Sequence, residues 1–313
     1  MPEVAPALAA ARAALLRASV VVPHTDADGL ASGALALRAR GEGAADALLL
    51  RRGETPFGDG LPAAAAVLDW GVRPLPGAAL LVDHHAPEWE PPPATVLLSG
   101  YGERPETATA PLVRRLVPEQ PSWFAAVGAV GDLGDDGFAL PEAAGAPKTA
   151  VRRLVPLVNA PRRLPEGPVR TALALLVEHD DPRAALADPR ARELEEAKAE
   201  WRGAYTAALR VAPRVVGDVA VVRLRTPYQV HPLVAAAWRR RLAPKLVLVA
   251  NDDYLPGRVN FAVRGGEGDL RARLRAALPE AEGEFAHGHD RATGGSLAPE
   301  QFETLLRRLG AAA

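Results

Sequence analysis

The chain has 313 residues, enough for two domains, and 48% of them are hydrophobic, enough to build real cores. Its 37 basic and 38 acidic residues leave a formal net charge of −1, which excludes a broad basic field for nucleic acid; polyanions must be held by local patches or bound cations. With no cysteine there are no disulfides, thiolate metal sites or cysteine nucleophile, a composition compatible with a cytoplasmic protein.

Residues 1–16 are alanine-rich and amphipathic, without the basic start and apolar centre of a signal peptide. No run approaches the roughly 18 apolar residues of a membrane span, so no membrane partner is expected. The first half then alternates short apolar runs with helical patterns, as a parallel α/β sheet requires. Ser19–Pro23 reads as a strand and Gly29–Arg40 as the helix after it. Ala47–Leu50, Ala65–Leu68, Ala79–Val82 and Thr95–Leu98 read as further strands, and Trp123–Gly131 as a buried helix. Asp188–Pro189 has the form of a helix start, an Asp N-cap before proline at the first helical position. Strong helix formers continue from there to Leu209, and this helix is expected to connect the domains. A second domain follows, with strands at Asp218–Val222, Lys245–Ala250 and Arg258–Val263. Its helices are expected at Leu233–Leu242, Asp269–Ala277 and Pro299–Leu309.

Five of the seven histidines fall in three short segments. His24-Thr25-Asp26-Ala27-Asp28-Gly29 follows the first predicted strand, Asp83-His84-His85 follows another, and His287-Gly288-His289 opens a glycine-rich stretch ending at Gly294-Gly295. The first two segments set carboxylates and imidazoles just past strand ends, where an open α/β sheet presents its ligand crevice. Imidazole and carboxylate without thiolate suit Mn²⁺ or a similar ion better than structural zinc.

These motifs resemble those of the DHH/DHHA1 phosphoesterases, a family that includes RecJ-type single-strand exonucleases, oligoribonucleases and pAp phosphatases. His24-x-Asp26-x-Asp28-Gly29 is similar to the family's first motif and Asp83-His84-His85 to the motif that names it. Gly288-His289 through Gly294-Gly295 resembles the glycine-histidine motif of the C-terminal domain. The resemblance spans nearly the whole chain, in the family's order. It implies an N-terminal parallel-sheet α/β catalytic domain over residues 1–184, a helical connector over 185–213 and a smaller α/β substrate-binding domain over 214–313.

Hydrolysing a phosphoester requires a nucleophile near neutral pH and compensation for charge on the phosphoryl oxygens; two divalent ions about 3.5–4 Å apart supply both. The resemblance implies two Mn²⁺ ions, or Mg²⁺ in their place. His24, Asp26 and Asp69 would hold one, and Asp28, Asp69, His84 and Asp132 the other, with Asp135 and Asp136 as alternatives to Asp132. His85 would face the phosphate or leaving group, and Asp83 would orient the histidines from behind, as metal-binding histidines usually require. Thr107-Ala108-Thr109 stands where the family often has small hydroxyl residues, and reads equally as a helix N-cap.

In the second domain the resemblance makes Arg264, at the end of Phe261-Ala262-Val263-Arg264, a phosphate-binding residue, although the family more often has Ser-Leu-Arg there. His289 would bind substrate, assisted by Gly288, Thr293, Gly294 and Gly295, with His287 replacing a glycine common in the family. Asn159-Ala160-Pro161-Arg162-Arg163 is a candidate substrate-side contact. Arg239-Arg240-Arg241, with Arg223 and Arg225, reads more readily as a solvated face than as a nucleic-acid track. The implied activity is Mn²⁺-dependent hydrolysis of phosphodiesters in single-stranded or short nucleic acids from an end. A pAp 3′-phosphatase or cyclic-dinucleotide phosphodiesterase is the alternative within the family, and a non-catalytic nucleotide-binding regulator the alternative outside catalysis.

Overall fold

A computed structural model of the chain describes residues 4–57, 60–75 and 77–311. They form two compact units: residues 1–162 with Glu166–Lys198, and Arg163–Pro165 with Ala199–Ala313.

The first unit is built on four parallel strands in the order β1-β2-β3-β4: β1 Val21–Pro23, β2 Ala66–Leu68, β3 Leu80–Asp83 and β4 Val96–Ser99. The registers Val22↔Val67, Val67↔Leu81 and Leu81↔Leu97 align the carboxyl ends of the strands. Pro23, which has no N–H to give, ends a strand paired on its outer side by one bridge, Val21 to Ala47. That bridge is all that remains of the strand expected at Ala47–Leu50. The segment is extended, with Leu49 packed on one core and Leu48 and Leu50 on the other, but the chain departs before a ladder forms.

Helix α1 (Val4–Arg17), α2 (Ala27–Arg40), α3 (Thr109–Leu116) and α4 (Trp123–Leu133) are joined by α5 (Lys148–Val158), α6 (Val169–Glu178) and the short α7 (Pro182–Ala187). Every residue of α2 from Ala27 to Leu37 is buried, so this helix lies inside the core and not on it. Its alanines and Gly33 let neighbours approach: a Cβ at Gly33 would stand 2.8 Å from the Pro23 side chain. The helices cover one sheet face; the other, bearing Val22, Val67 and Leu81, is covered by loop residues such as Phe57, Leu61 and Trp89.

The division between the units falls inside α8 (Ala191–Ala208). At the expected start, Asp188 Oδ1 accepts the Arg190 amide at 2.8 Å in a turn that leads into the helix, and a second Asp-Pro pair stands just before it. Asp181 caps α7 through the Arg183 amide with Pro182 at its first position, while Asp188 ends α7, and α8 begins at Ala191. Two Asp-Pro pairs occur seven residues apart, and local pattern alone does not choose between them.

The second unit is a six-stranded mixed sheet in the order β5-β6-β7-β8-β10-β9. Its elements are β5 (Arg214–Val216), β6 (Val219–Leu224), α9 (His231–Leu242), β7 (Leu246–Leu255), β8 (Arg258–Gly265), α10 (Leu270–Ala277), β9 (Phe285–His289), β10 (Ala292–Leu297) and α11 (Pro299–Arg308). Only β6 and β7 pair in parallel, and α9 supplies the crossover such a pair needs. The glycine-rich stretch after His287 lies in a strand pair, β9 and β10. Its glycines are set by packing: a Cβ at Gly294 would stand 2.2 Å from the Phe261 carbonyl oxygen, and one at Gly295 2.8 Å from that of Glu284. Among the described residues no helix is long and apolar enough to cross a membrane.

Candidate metal centre

The loops leaving β1, β2 and β3 carry the acid-rich motifs of the first unit. After β1, Asp26 caps α2: its Oδ1 accepts the Gly29 amide at 3.1 Å, which fixes the 24–28 loop and sends Asp28 into the first turn. After β2 comes Asp69 at φ +69°, a left-handed conformation that a carboxylate residue adopts only when its surroundings hold it. Its amide donates to the Val82 carbonyl at 3.0 Å, and Gly71, at φ +87°, completes the turn. Asp83 closes β3 and ties the loops together. Its Oδ2 accepts the Gly71 amide at 2.5 Å, and its Oδ1 accepts the His85 amide at 2.7 Å and faces His85 Nδ1 at 2.8 Å.

Asp28 is fully buried, yet its carboxylate is well satisfied. Oδ2 accepts the Thr109 amide at 2.6 Å and Oδ1 the Ala110 amide at 2.7 Å, so Asp28 sits on the N-terminus of α3, where backbone donors and the helix dipole favour an anion. Gly128 of α4 makes room for it, since a Cβ there would stand 2.3 Å from Oδ1. Thr109 belongs to this centre as well as to the helix start: its hydroxyl donates to Asp69 Oδ1 at 2.9 Å.

Two groups of possible ligand atoms result, each lying within 4.8 Å of one another: His24, Asp26 and Asp69 in one, and Asp28, Asp69, His84 and Asp132 in the other. A third grouping joins Asp69 with His84 and His85. Asp69 is common to all, and its two oxygens face opposite ways, Oδ2 3.8 Å from His24 Nδ1 and Oδ1 3.6 Å from His84 Nε2. Asp132, at the end of α4, places Oδ2 3.1 Å from His84 Nε2, whereas Asp135 is turned to Arg152 in an ion pair at 2.9 Å.

Burial and mutual repulsion set the protonation of the cluster. Burial, with Asp132 beside it, pushes Asp28 up to about 7. Asp69 is raised well above the ordinary carboxylate range by burial and then by Asp28, Asp26 and Asp132. Burial works against His84 ionising, but its hydrogen bond to Asp132 and the charges of Asp28 and Asp132 outweigh this and raise it to about 9. Burial also opposes ionisation of Asp26, which His24 and Arg162 nevertheless hold well below the ordinary range. Asp83 is likewise lowered against its burial, by its hydrogen bonds from His85. Oxygen and imidazole donors converge here without thiolates, and their negative charges crowd each other; the donor set fits divalent cations of the Mn²⁺ or Mg²⁺ kind.

Sequence reasoning did not foresee three neighbours. Trp70 sets its indole edge-on to the His24 imidazole with ring centroids 4.8 Å apart. Asn159 Oδ1 accepts the Ala27 amide at 2.9 Å, and Arg162 Nη1 donates to Asp26 Oδ2 at 2.8 Å. The Asn159–Arg163 segment carried a signal, but nothing local showed that it would meet a loop 136 residues away.

The remaining candidates lie in the second unit. Arg264, on β8, is mostly buried, and its Nη1 donates to the carbonyls of Val263 and Thr293 at 2.9 and 3.2 Å. Burial, with Arg239 nearby, lowers its pKa. Thr293 pairs with Val263 across the β8–β10 ladder, and its hydroxyl donates to the His287 carbonyl at 2.7 Å. Gly288 stands at φ +100° and Gly294 and Gly295 follow on β10. His289 ends β9 opposite Ala292, and its side chain lies outside the described residues.

No protein-family model and no curated protein matches the chain. Solved structures do match it. One is the exonuclease RecJ bound to manganese, at 20% identity and a TM-score of 0.61 over 96% of this chain and 94% of that one. RecJ of Thermus thermophilus in complex with Mn²⁺ matches at 20% identity and a TM-score of 0.68, over 97% of this chain but 54% of the Thermus chain, so this chain spans about half that length. The pGpG-specific phosphodiesterase PggH of Vibrio cholerae matches at 14% identity and a TM-score of 0.52 over 92% and 96% of the two chains. The chain has the fold of the DHH/DHHA1 phosphoesterases.

Proposed function

We propose that this chain is a divalent-cation-dependent phosphoesterase that hydrolyses phosphodiester bonds in single-stranded or short nucleic acids from an end. The observation that carries this reading is the pair of carboxylate–imidazole groups sharing Asp69. On this reading His24, Asp26 and Asp69 hold one Mn²⁺, and Asp28, Asp69, His84 and Asp132 hold a second, with Mg²⁺ as a substitute. The ions would supply an acidified water and neutralise charge on the phosphoryl oxygens.

The chain's own residues do the rest. The α3 amides and Gly128 fix Asp28, and Thr109 fixes Asp69, so neither carboxylate must reorganise during reaction. Asp83 holds His85 at Nδ1, which on this reading leaves Nε2 for substrate. Burial opposes the charge on His85, but Asp83 outweighs it and raises the pKa, and on this reading Nε2 is the proton donor to the departing oxygen. In residues 214–313 Arg264 and His289 bind a substrate phosphate on this reading, with Gly288, Thr293, Gly294 and Gly295 shaping the hairpin that carries His289. Residues 185–213 serve as the connector to the catalytic part, 1–184.

The similarity to a pGpG-specific enzyme over nearly the full length of both chains favours a dinucleotide or pAp as the second reading. A non-catalytic nucleotide-binding regulator would have no use for clustered buried carboxylates. A panel with Mn²⁺ decides among them: pAp, cyclic and linear dinucleotides, and longer DNA and RNA labelled at either end. Mononucleotides released successively from one end of single strands support the proposal. Internal cuts or equal rates on blunt duplex refute it, and inactivity on every polymer with rapid turnover of pAp or a dinucleotide establishes the second reading.

A further inference from the structure

The two groups that share Asp69 differ in their charge balance. Both oxygens of Asp28 accept backbone amides, from Thr109 and Ala110, and these neutral donors leave its charge available to a cation. Asp26 is placed differently. Its Oδ1 is engaged by the Gly29 amide, which leaves Oδ2 as the oxygen turned toward His24, whose Nδ1 lies 2.8 Å away. The same Oδ2 lies 2.8 Å from Arg162 Nη1, and Arg162 Nη2 lies 3.5 Å from His24 Nε2. The guanidinium is largely enclosed, and it cannot shed its charge. Its backbone is braced nearby, because Asn159, on the same turn of chain, accepts the Ala27 amide.

A divalent ion drawn to His24, Asp26 and Asp69 therefore meets a fixed positive charge on the ligand oxygen it needs. We propose that Arg162 is a built-in counter-cation of this group: it weakens the hold on a divalent ion there relative to the group of Asp28, His84 and Asp132, so that the two ions load in sequence. The inference rests on the metal-centre reading above. It assigns to Arg162 a function separate from substrate contact.

The test is an Mn²⁺ binding isotherm on the full chain, with free Mn²⁺ read by electron paramagnetic resonance, for the wild type, Arg162→Gln, Arg162→Met and Arg162→Lys. The wild type is expected to show two classes of site of unequal affinity. Arg162→Gln and Arg162→Met are expected to tighten the weaker class roughly tenfold or more, the size of effect one close charge has on binding a proton. The tighter class should stay where it is, and Arg162→Lys should remain near the wild type. Circular dichroism identifies the variants that are folded, and two neutral replacements of different polarity guard against loss of either one. The inference is overturned if the folded neutral variants leave the weaker class unchanged or weaken it, if both classes shift together, or if the wild type has two equivalent sites. A wild type that binds no Mn²⁺ overturns the metal-centre reading itself, and is distinguishable from each of these.

Discussion

The two units bury charge of opposite sign. In the first, Asp28 and Asp69 are held inside the protein at the ends of parallel strands, and burial together with their mutual repulsion raises both. In the second, Arg264 is mostly buried beside strand carbonyls, and among the described residues no carboxylate pairs with it. Crowded carboxylates in the first unit and a guanidinium with no carboxylate partner in the second are each costly to bury, which is consistent with the proposal that cations bind the first and a phosphate the second. On that proposal, the first unit offers fixed carboxylates to a metal and the second a guanidinium to a phosphate.

The sharpest way to break this comparison is to neutralise the first unit alone. Asp28→Asn keeps an acceptor for one α3 amide but removes the charge. We expect turnover to fall by more than the roughly 100-fold that removing a group behind a metal ligand costs, with substrate binding retained. Steady-state kinetics beside equilibrium binding to a labelled oligonucleotide checks this; unchanged turnover removes Asp28 from the chemistry.

Neutralising the second unit should give the opposite pattern. Arg264→Gln, and likewise His289→Ala, should weaken binding of a phosphate-bearing substrate by about 1.5–3 kcal/mol, the worth of a charge-assisted hydrogen bond, while Mn²⁺ binding stays as it was. If Mn²⁺ affinity collapses in the His289 variant, that residue belongs to the metal centre and the division of labour is wrong.

A smaller effect concerns pH. Asp28 is raised to about 7 and His84 to about 9, so each binds protons more tightly folded than unfolded. The stability they contribute is complete below their ordinary values and is lost as pH rises through the raised ones. Asp26 and Asp83 are lowered, and their contribution is lost instead as pH falls through the acid range. Metal-free protein should therefore melt at progressively lower temperature between about pH 5 and pH 9. Mn²⁺ at about 100 times its Kd should add roughly 2.7 kcal/mol per site and reverse the trend, because it takes the deprotonated ligands. Melting curves against pH with chelator and with Mn²⁺ settle this, and a flat metal-free profile contradicts it.

Much of the first unit was legible in the sequence, because short buried strands leave apolar runs and polar residues stand out where those runs end. β2, β3 and β4 lie within a residue of their expected bounds, and the loops after β1, β2 and β3 bring together the acids and histidines that follow them. What was not legible is what tertiary structure decides. Asp69 occupies a left-handed conformation because the Val82 carbonyl holds its amide, a fact with no local signature. The donors that hold the Asp28 carboxylate in place come from a helix start 81 residues away. No strand is expected at 285–297 from the sequence, because glycines are strand breakers by propensity; in the sheet Gly294 and Gly295 of β10 let β8 and the residue before β9 come close.

The proposed function requires that the clustered carboxylates joined through Asp69 hold the cations for phosphodiester hydrolysis. The most direct test is a time course on an end-labelled single-stranded oligonucleotide, using chelated protein before and after Mn²⁺ is added, with Asp69→Asn alongside. We expect no hydrolysis after chelation, its return with Mn²⁺, and none in the Asp69 variant at any Mn²⁺ concentration. Hydrolysis that persists under chelation, or a fully active Asp69→Asn protein, would contradict it.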